Sequence, residues 1–391
     1  MSSLADTLAT LNGVVSNALS LIDQVEAVVA NIAQGPSRVD ASLPTESQQG
    51  LSNASLDALS LAHDSAALIK AHATKISLFI INEPFTPTAI VKVLRELTAG
   101  PVAGLASSVQ LCTAERYTRE IQQDLAWQSG RVLRELKKLL SRVPKDGKVL
   151  SNDKKNASAG AAAGRGSIAT TGVLWAACDD LITVASRGFA GNLVHKVEQL
   201  KDTLKDVIEE LKEWGEETGG DESENGDSND EDGEVDEITQ SMESAGISTT
   251  QTTQDMLDEL MNSHQYIPRD DPDKIRERLE SCLRRLRLTA LLYQATVKRR
   301  LKSLPQQPPS PASPIAARLD EIFPLLKRIP ERCENLAMAF YDLEPLEIDR
   351  LMDQCFFDAF AVSELLVKSW NGQKDEFTDW ALKFQVEIKK S

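Results

Sequence analysis

Several residues in this chain are of types that can do chemistry, but their spacing fails each chemistry in turn. The stretch from Gly160 through Gly164-Arg165-Gly166-Ser167 is the nearest approach to a phosphate cradle. Such a loop needs a lysine before the Ser or Thr and a strand leading into it, so that backbone N–H groups and an ammonium converge on the phosphate oxygens. Here Arg165-Gly166 precedes Ser167, a polar segment leads in, and Ala169 stands where a dinucleotide site carries its third glycine. The stretch reads as a flexible loop. An acidic run further along echoes a calcium loop when Gly233 is taken as the turn glycine. That alignment puts Ser228 at the first ligand position and Thr239 at the last, where a bidentate glutamate is required. His63 and His72 are too far apart on one predicted helix to share a metal, and His195 and His264 stand alone. Cys112, Cys178, Cys282, Cys333 and Cys355 form no Cys-x-x-Cys pair and sit in apolar helical patterns, as reduced core residues do. No Gly-x-Ser-x-Gly turn is present. The sequence thus predicts no catalytic residues, no metal ligands and no cofactor, and the chain is expected not to be an enzyme. Ser228, Ser310 and Ser313 are candidate phosphorylation positions: the first precedes Asn229-Asp230-Glu231, and the other two precede prolines.

The elements that would position any site are helices. Leu, Ala and Val dominate the apolar residues and aromatics make up only 5 % of the chain, a composition that favours helices packed on helices. Apolar residues recur at steps of three and four from Leu4 to Ile32, and Gly35-Pro36 stops that helix. A second helix is predicted from about Leu51 to Ile81. Pro84 and Pro87 mark the next turn, with Thr86 as N-cap and Pro87 at the first helical position. Gly100-Pro101 breaks or kinks the helix that follows, and another long helix reaches about Val143. Residues 144–167 form a loop, then a helix starts near Ser167 with a kink expected at Gly188–Gly191. Asp271-Pro272 opens a strong helix, residues 305–314 are proline-rich and extended, and three more helices lie near 315–343, 345–370 and 374–389, the first kinked at Pro324 and Pro330.

Charge divides the chain. Between Glu209 and Glu237 fifteen Asp/Glu face a single Lys212, a local charge of −14 in a chain that totals −16. Such a run cannot bury apolar surface and is expected to be a disordered linker. The predicted fold class is therefore all-α: two antiparallel helical bundles of the up-and-down kind found in vinculin and talin rods, joined by this linker. The predicted domains are 1–218, with its loop at 144–167, and 251–391, with its loop at 305–314, separated by the acidic linker 219–250. From Asp273 to Lys302 ten Lys/Arg face three Asp/Glu, and the oppositely charged linker is able to mask that basic face as readily as nucleic acid would bind it. No direct nucleic-acid contact is expected. Nor is a membrane span, since no uninterrupted run of about 18 apolar residues occurs. The N-terminus has neither the basic start of a signal peptide nor the arginines of a transit peptide, and the protein is expected to be soluble and intracellular.

The cleanest pattern is Leu193, Val197, Leu200, Leu204, Val207, Leu211 and Trp214, a three-heptad stripe. It suits a bundle wall, the wall of a groove for a partner's amphipathic helix, or a coiled-coil dimer; a monomer is the expected state. Within the basic helix, Arg284-Arg285-Leu286-Arg287-Leu288 has the Arg-x-Leu-x-Leu form of peptides that dock on cyclins, although Leu286 falls on the core stripe.

Gly172-Val173-Leu174-Trp175-Ala176-Ala177-Cys178-Asp179, with the polar loop before it, the heptad helix and acidic run after it, and Ile76-Ser77-Leu78-Phe79-Ile80-Ile81 with Thr88–Leu97 upstream, resembles the cyclin-D-interacting protein family. Leu319-Asp320-Glu321-Ile322 through Asn335-Leu336-Ala337-Met338 resembles it more loosely. The resemblance implies an all-helical protein of cytoplasm and nucleus that binds D-type cyclins and helix-loop-helix factors, an adaptor or regulator in cell-cycle or transcriptional control. The architecture alone also fits a cytoskeletal or adhesion-type bundle scaffold.

Overall fold

The computed structural model describes residues 4–35, 57–156, 166–216 and 266–390. Among these there is no strand, and the fold is all-α. The helices are α1 (Leu4–Gln34), α2 (Ala58–Ile81), α3 (Pro87–Leu97), α4 (Ala103–Leu111), α5 (Ala114–Leu140), the short α6 (Asn152–Asn156), α7 (Ser167–Glu216), α8 (Ile275–Ala295), α9 (Ile315–Tyr341), α10 (Pro345–Leu366) and α11 (Glu376–Glu387). The predicted acidic linker 219–250, Ser228 and most of the Gly/Ala loop lie outside the described residues.

The chain groups into two compact units. One comprises residues 1–197 with 297–324, the other 198–296 with 325–391. The boundaries fall inside helices: α7 and α9 each contribute residues to both units.

Local chemistry sets the helix ends. Asp57 caps α2 by accepting from the backbone N–H groups of Leu59 and Ser60 at 3.4 and 3.1 Å. It also accepts from the Tyr117 hydroxyl at 2.7 Å, while that hydroxyl accepts from Ala58 N–H at 2.9 Å. Burial works to raise the Asp57 carboxyl, but these hydrogen bonds outweigh it and hold the group below the ordinary carboxylate value. Thr86 occupies the cap position of α3 with Pro87 just inside the helix, but its hydroxyl donates to Pro84 C=O instead of capping. Pro101 lacks an N–H, and Thr98–Val102 accommodate it as a π-helical turn between α3 and α4. Gly188 kinks α7 with φ 68°, ψ −173°, a conformation open essentially to glycine alone. In α5 the buried Thr118 takes φ 76°, and helix resumes after it with Asp320 accepting from Arg119 N–H at 2.8 Å. Asp271 accepts from the N–H groups of Ile275 and Arg276 at the start of α8. Helix α9 runs through Pro324 and Pro330 as one element.

In the first unit α1 packs on α5 and α3, and α2 on α3 and α4. Side-chain pairs give the directions. Lys137–Asp23 and Arg134–Glu26 set α1 antiparallel to α5. Arg131–Asp180 and Lys196–Glu120 do the same for α5 and α7. Lys70–Asp179, Trp175 Nε1–Thr74 and Thr171–Ser77 do it for α7 and α2. The core face of α2 is Ala58, Leu59, Ala62, Ala66, Ile69, Ala73, Ile76 and Ile80, all buried. Its alanines let neighbouring backbones approach closely.

In the second unit Arg328 and Arg332 of α9 share Asp358 of α10, and Cys333 touches Cys355, so α9 and α10 are antiparallel. Gln385–Ser363 and Thr378–Val367 make α10 and α11 antiparallel. Arg278–Asp349 and Arg285 over Phe356 set α8 parallel to α10.

Two helices, α1 and α7, contain stretches long and apolar enough on average to cross a membrane by length and composition. The expectation of no span rested on the lack of an uninterrupted apolar run, and these stretches carry polar residues throughout. Leu11, Val15, Ala18, Ile22 and Val29 of α1 and Leu174, Ala177, Cys178 and Leu181 of α7 are buried inside the protein.

Candidate functional site: grooves and buried stripes on the helices

The heptad stripe lies in the C-terminal part of α7. Leu193, Val197, Leu204, Val207, Leu211 and Trp214 are buried, and Leu200 is half-buried. Leu193 and Val197 belong to the first unit, the others to the second. Trp214 lies 5.4 Å from the ring of Tyr341 in an edge-on arrangement and 6.2 Å from that of Phe340, and the Tyr341 hydroxyl donates to Glu210 at 2.8 Å. Apolar side chains on a regular stripe lose the most water by packing against one another, and here they do so within the chain.

The other residues singled out by type are scattered. His63 pairs with Asp64 at 3.0 Å. His72 is half-buried, and desolvation, helped by Lys75, lowers its pKa. The two histidines serve no common centre. Among the described residues no group of three or more His, Cys, Asp or Glu is arranged to hold a metal ion. All five cysteines are free and buried. Burial pushes the Cys178 thiol up to about 12 and the Cys112 thiol higher still, which makes both poor nucleophiles. Cys333 and Cys355 lie Sγ to Sγ at 3.2 Å although 22 residues apart, a proximity that no spacing rule shows. Ser310 is exposed and Ser313 half-buried, both just before α9; Ser313 Oγ accepts from Ile315 N–H. The segment Arg284–Leu288 is helical and Leu286 is fully buried, so it is not held in the extended form that cyclin docking requires.

A groove of about 900 Å³ lies open in the second unit. Lys274, Arg278, Ser281 and Arg285 recur every three or four residues and put one stripe of α8 along it. Asp349, Met352 and Asp353 of α10 form the facing side, and Lys390 stands beyond the end of α11. Arg278 binds Asp349 through two parallel hydrogen bonds of 2.9 Å. The Arg285 guanidinium lies 4.0 Å over the Phe356 ring. Sequence reading found the basic face but not the groove, because the acidic wall comes from a helix some seventy residues away. Elsewhere on the same unit apolar side chains are left outside: Leu346 and Phe357 on α10 are 84 % and 68 % exposed, and Leu382 and Val386 on α11 are also exposed. In the first unit a smaller groove of about 400 Å³ runs between α1 and α3, lined by Thr7, Thr10, Val91 and Arg95.

The protein is thus an all-α protein made of long packed helices, with grooves between them. Residues 62–217, from α2 to just past the end of α7, match the family model described as Grap2 and cyclin-D-interacting, N-terminal, a match that supports membership of the GCIP family. The match takes in Trp175, Cys178 and the whole heptad stripe. An uncharacterized protein of Schizosaccharomyces pombe is 30 % identical over 159 residues, which is 40 % of this chain and 44 % of that protein. The chain therefore spans less than half the length of the curated relative it matches. The family's description names protein interaction, in agreement with the interaction role expected from the sequence.

Proposed function

We propose that this protein is a non-enzymatic adaptor or negative regulator that binds cyclin-like or helix-loop-helix partners in cell-cycle or transcriptional control, in cytoplasm and nucleus. The observation that carries the reading is the family match over residues 62–217, which covers the helices α2 to α7. With six of its seven residues buried, the heptad stripe meets a partner helix only where the helices covering it open. A surface groove needs no such opening. Partner capture through the stripe is therefore the slower of the two routes, because uncovering it exposes core.

The test is direct binding of the purified full chain to a purified D-type cyclin and, separately, to a purified helix-loop-helix factor, with actin co-sedimentation run alongside. Saturable binding to either regulator supports the proposal. Binding to filaments with no affinity for either regulator overturns it in favour of a cytoskeletal scaffold.

A further inference from the structure

Three of the five cysteines meet inside the second unit, one from each of three helices: Cys282 on α8, Cys333 on α9 and Cys355 on α10. All three are fully buried. Among the described residues they do not form a group arranged to hold a metal ion, which leaves the chemistry of thiols. Two of them touch. Cys333 Sγ and Cys355 Sγ lie 3.2 Å apart and a disulfide is about 2.05 Å long, so closing one takes about 1.2 Å of approach. The neighbouring side chains keep the pair in register. Arg332, next to Cys333, donates to the carbonyl of Gln354, next to Cys355, and pairs with Asp358 at 2.8 Å. Asp358 also takes Arg328, one turn earlier on α9. Helices that part and reclose are thereby guided back to the arrangement in which the sulfurs meet. A lone buried cysteine is accounted for as a small apolar core residue. A second sulfur in contact with it, from another helix, supplies a resolving partner for an oxidised thiol.

We propose that Cys333 and Cys355 are a modification site, a dithiol that hydrogen peroxide converts to an intramolecular disulfide stapling α9 to α10. While the unit is closed both thiols are inert. The contact with Cys355, together with burial, holds the Cys333 thiol protonated, and no oxidant reaches a sulfur without exposed surface. The reaction therefore begins in conformers in which α9 and α10 have opened locally. The thiolate uncovered there attacks one peroxide oxygen; the O–O bond breaks, hydroxide leaves, and the sulfur becomes a sulfenic acid. As the helices reclose, the second thiolate attacks that sulfenic sulfur. The S–S bond forms, the S–O bond breaks, and a second hydroxide leaves. The two thiol protons complete two molecules of water, so one peroxide is reduced as two thiols are oxidised. The bond closes a loop that contains the turn between α9 and α10, and it restricts the freedom of the two helices to part. None of this requires a partner, so the bond forms or fails independently of cyclin or helix-loop-helix capture.

The experiment is peptide mapping by mass spectrometry of the purified, fully reduced full chain after exposure to millimolar hydrogen peroxide. The reaction is quenched in acid, and remaining thiols are alkylated with N-ethylmaleimide under denaturing conditions. The expected product is a linked Cys333–Cys355 peptide that dithiothreitol removes, with Cys112, Cys178 and Cys282 alkylated. Hydrogen exchange of the oxidised chain is expected to slow by about tenfold or more in α9 and α10 and to stay unchanged in α2 and α5. C282A is expected to form the bond as the wild type does, and C333A to form none. The same treatment in denaturing urea separates native proximity from chance collision, and several pairings are expected there. If the Cys333–Cys355 pairing is as large a share of the disulfides in urea as in buffer, the proposal is overturned, because the folded arrangement then contributes nothing. Linked peptides that contain Cys282, thiols that stay intact, or sulfinic acid in place of the bond overturn it as well.

Discussion

The two units are built from the same kind of helix but place their charges differently. In the first, three ion pairs that cross between helices lie at the rim: Lys70–Asp179, Arg131–Asp180 and Lys137–Asp23 all keep half or more of the aspartate's side-chain surface in water. Its interior is largely aliphatic, with alanines where α2 meets its neighbours, although Arg300 is buried there as well. In the second, Asp358 lies inside, its side chain only 2 % exposed, and two arginines one turn apart on α9 close over it. The Cys333–Cys355 contact stands beside this cluster in sequence on both helices. Rim pairs select helix direction at little energetic consequence, because water competes for both partners. A buried carboxylate held by two guanidiniums fixes register strictly, since leaving that carboxylate unpaired inside the protein is costly.

The largest effect expected from breaking this contrast is in the second unit. Asp358→Ala leaves Arg328 and Arg332 without their shared anion and is expected to cost about 1.5–3 kcal/mol, the scale of lost hydrogen bonds to a charged group, read as a loss of hydrogen-exchange protection in α9 and α10. If protection there is unchanged, the cluster is not what registers those helices. Next is Gly188→Ala, at a backbone conformation that side chains avoid. Space is not limiting, since the nearest atom to an added Cβ is Gln306 O at 3.6 Å, so the expected penalty of about 1–3 kcal/mol is conformational. Calorimetry with a Gly188→Ala and Gly188→Asn pair checks this: both are expected to be penalised, because asparagine's tolerance of positive φ belongs to the left-handed helical well and not to ψ −173°.

A smaller effect is expected at the N-cap of α2. Asp57→Ala removes the cap and the Tyr117 anchor, and is expected to lower stability by about 0.5–2 kcal/mol at neutral pH. The Asp57 carboxyl is held below its unfolded value, so its contribution is present above that value, near pH 4, and is lost as pH falls through the lower folded one. The wild-type and variant stability curves are therefore expected to converge on the acid side and stay apart at neutral pH. Curves that stay parallel to pH 2 contradict the assignment. The smallest effect is at the rim: Lys70→Ala, which removes the 2.6 Å pair with Asp179, is expected to cost about 0–1 kcal/mol and less at high salt. A loss above 2 kcal/mol would erase the distinction between the units.

Much of this molecule was legible in its sequence. The apolar steps of α1, α7 and α8, the proline at the start of α3 and the glycine kink in α7 follow from local rules, and local rules leave their marks within a few residues. The interior burial of the heptad stripe was one of the readings the pattern allowed. What was not legible depends on partners far along the chain. Tyr117 reaches back sixty residues to complete the cap at Asp57. Asp358 finds two arginines on another helix, and the groove on α8 exists only because α10 supplies its other wall. The positive φ of Thr118 had no signal in a β-branched residue, which normally avoids it.

The distribution of the buried thiols makes the protein its own stopwatch. Cys112 and Cys178 sit in the first unit; Cys282, Cys333 and Cys355 sit in the second. A maleimide reaches a buried sulfur only while the surrounding helices are open, so the rate at which each cysteine is labelled counts openings of its own neighbourhood. Two cysteines timing one unit and three timing the other would let a single mass-spectrometric experiment report whether a bound partner quiets one half of the chain, the other, or both.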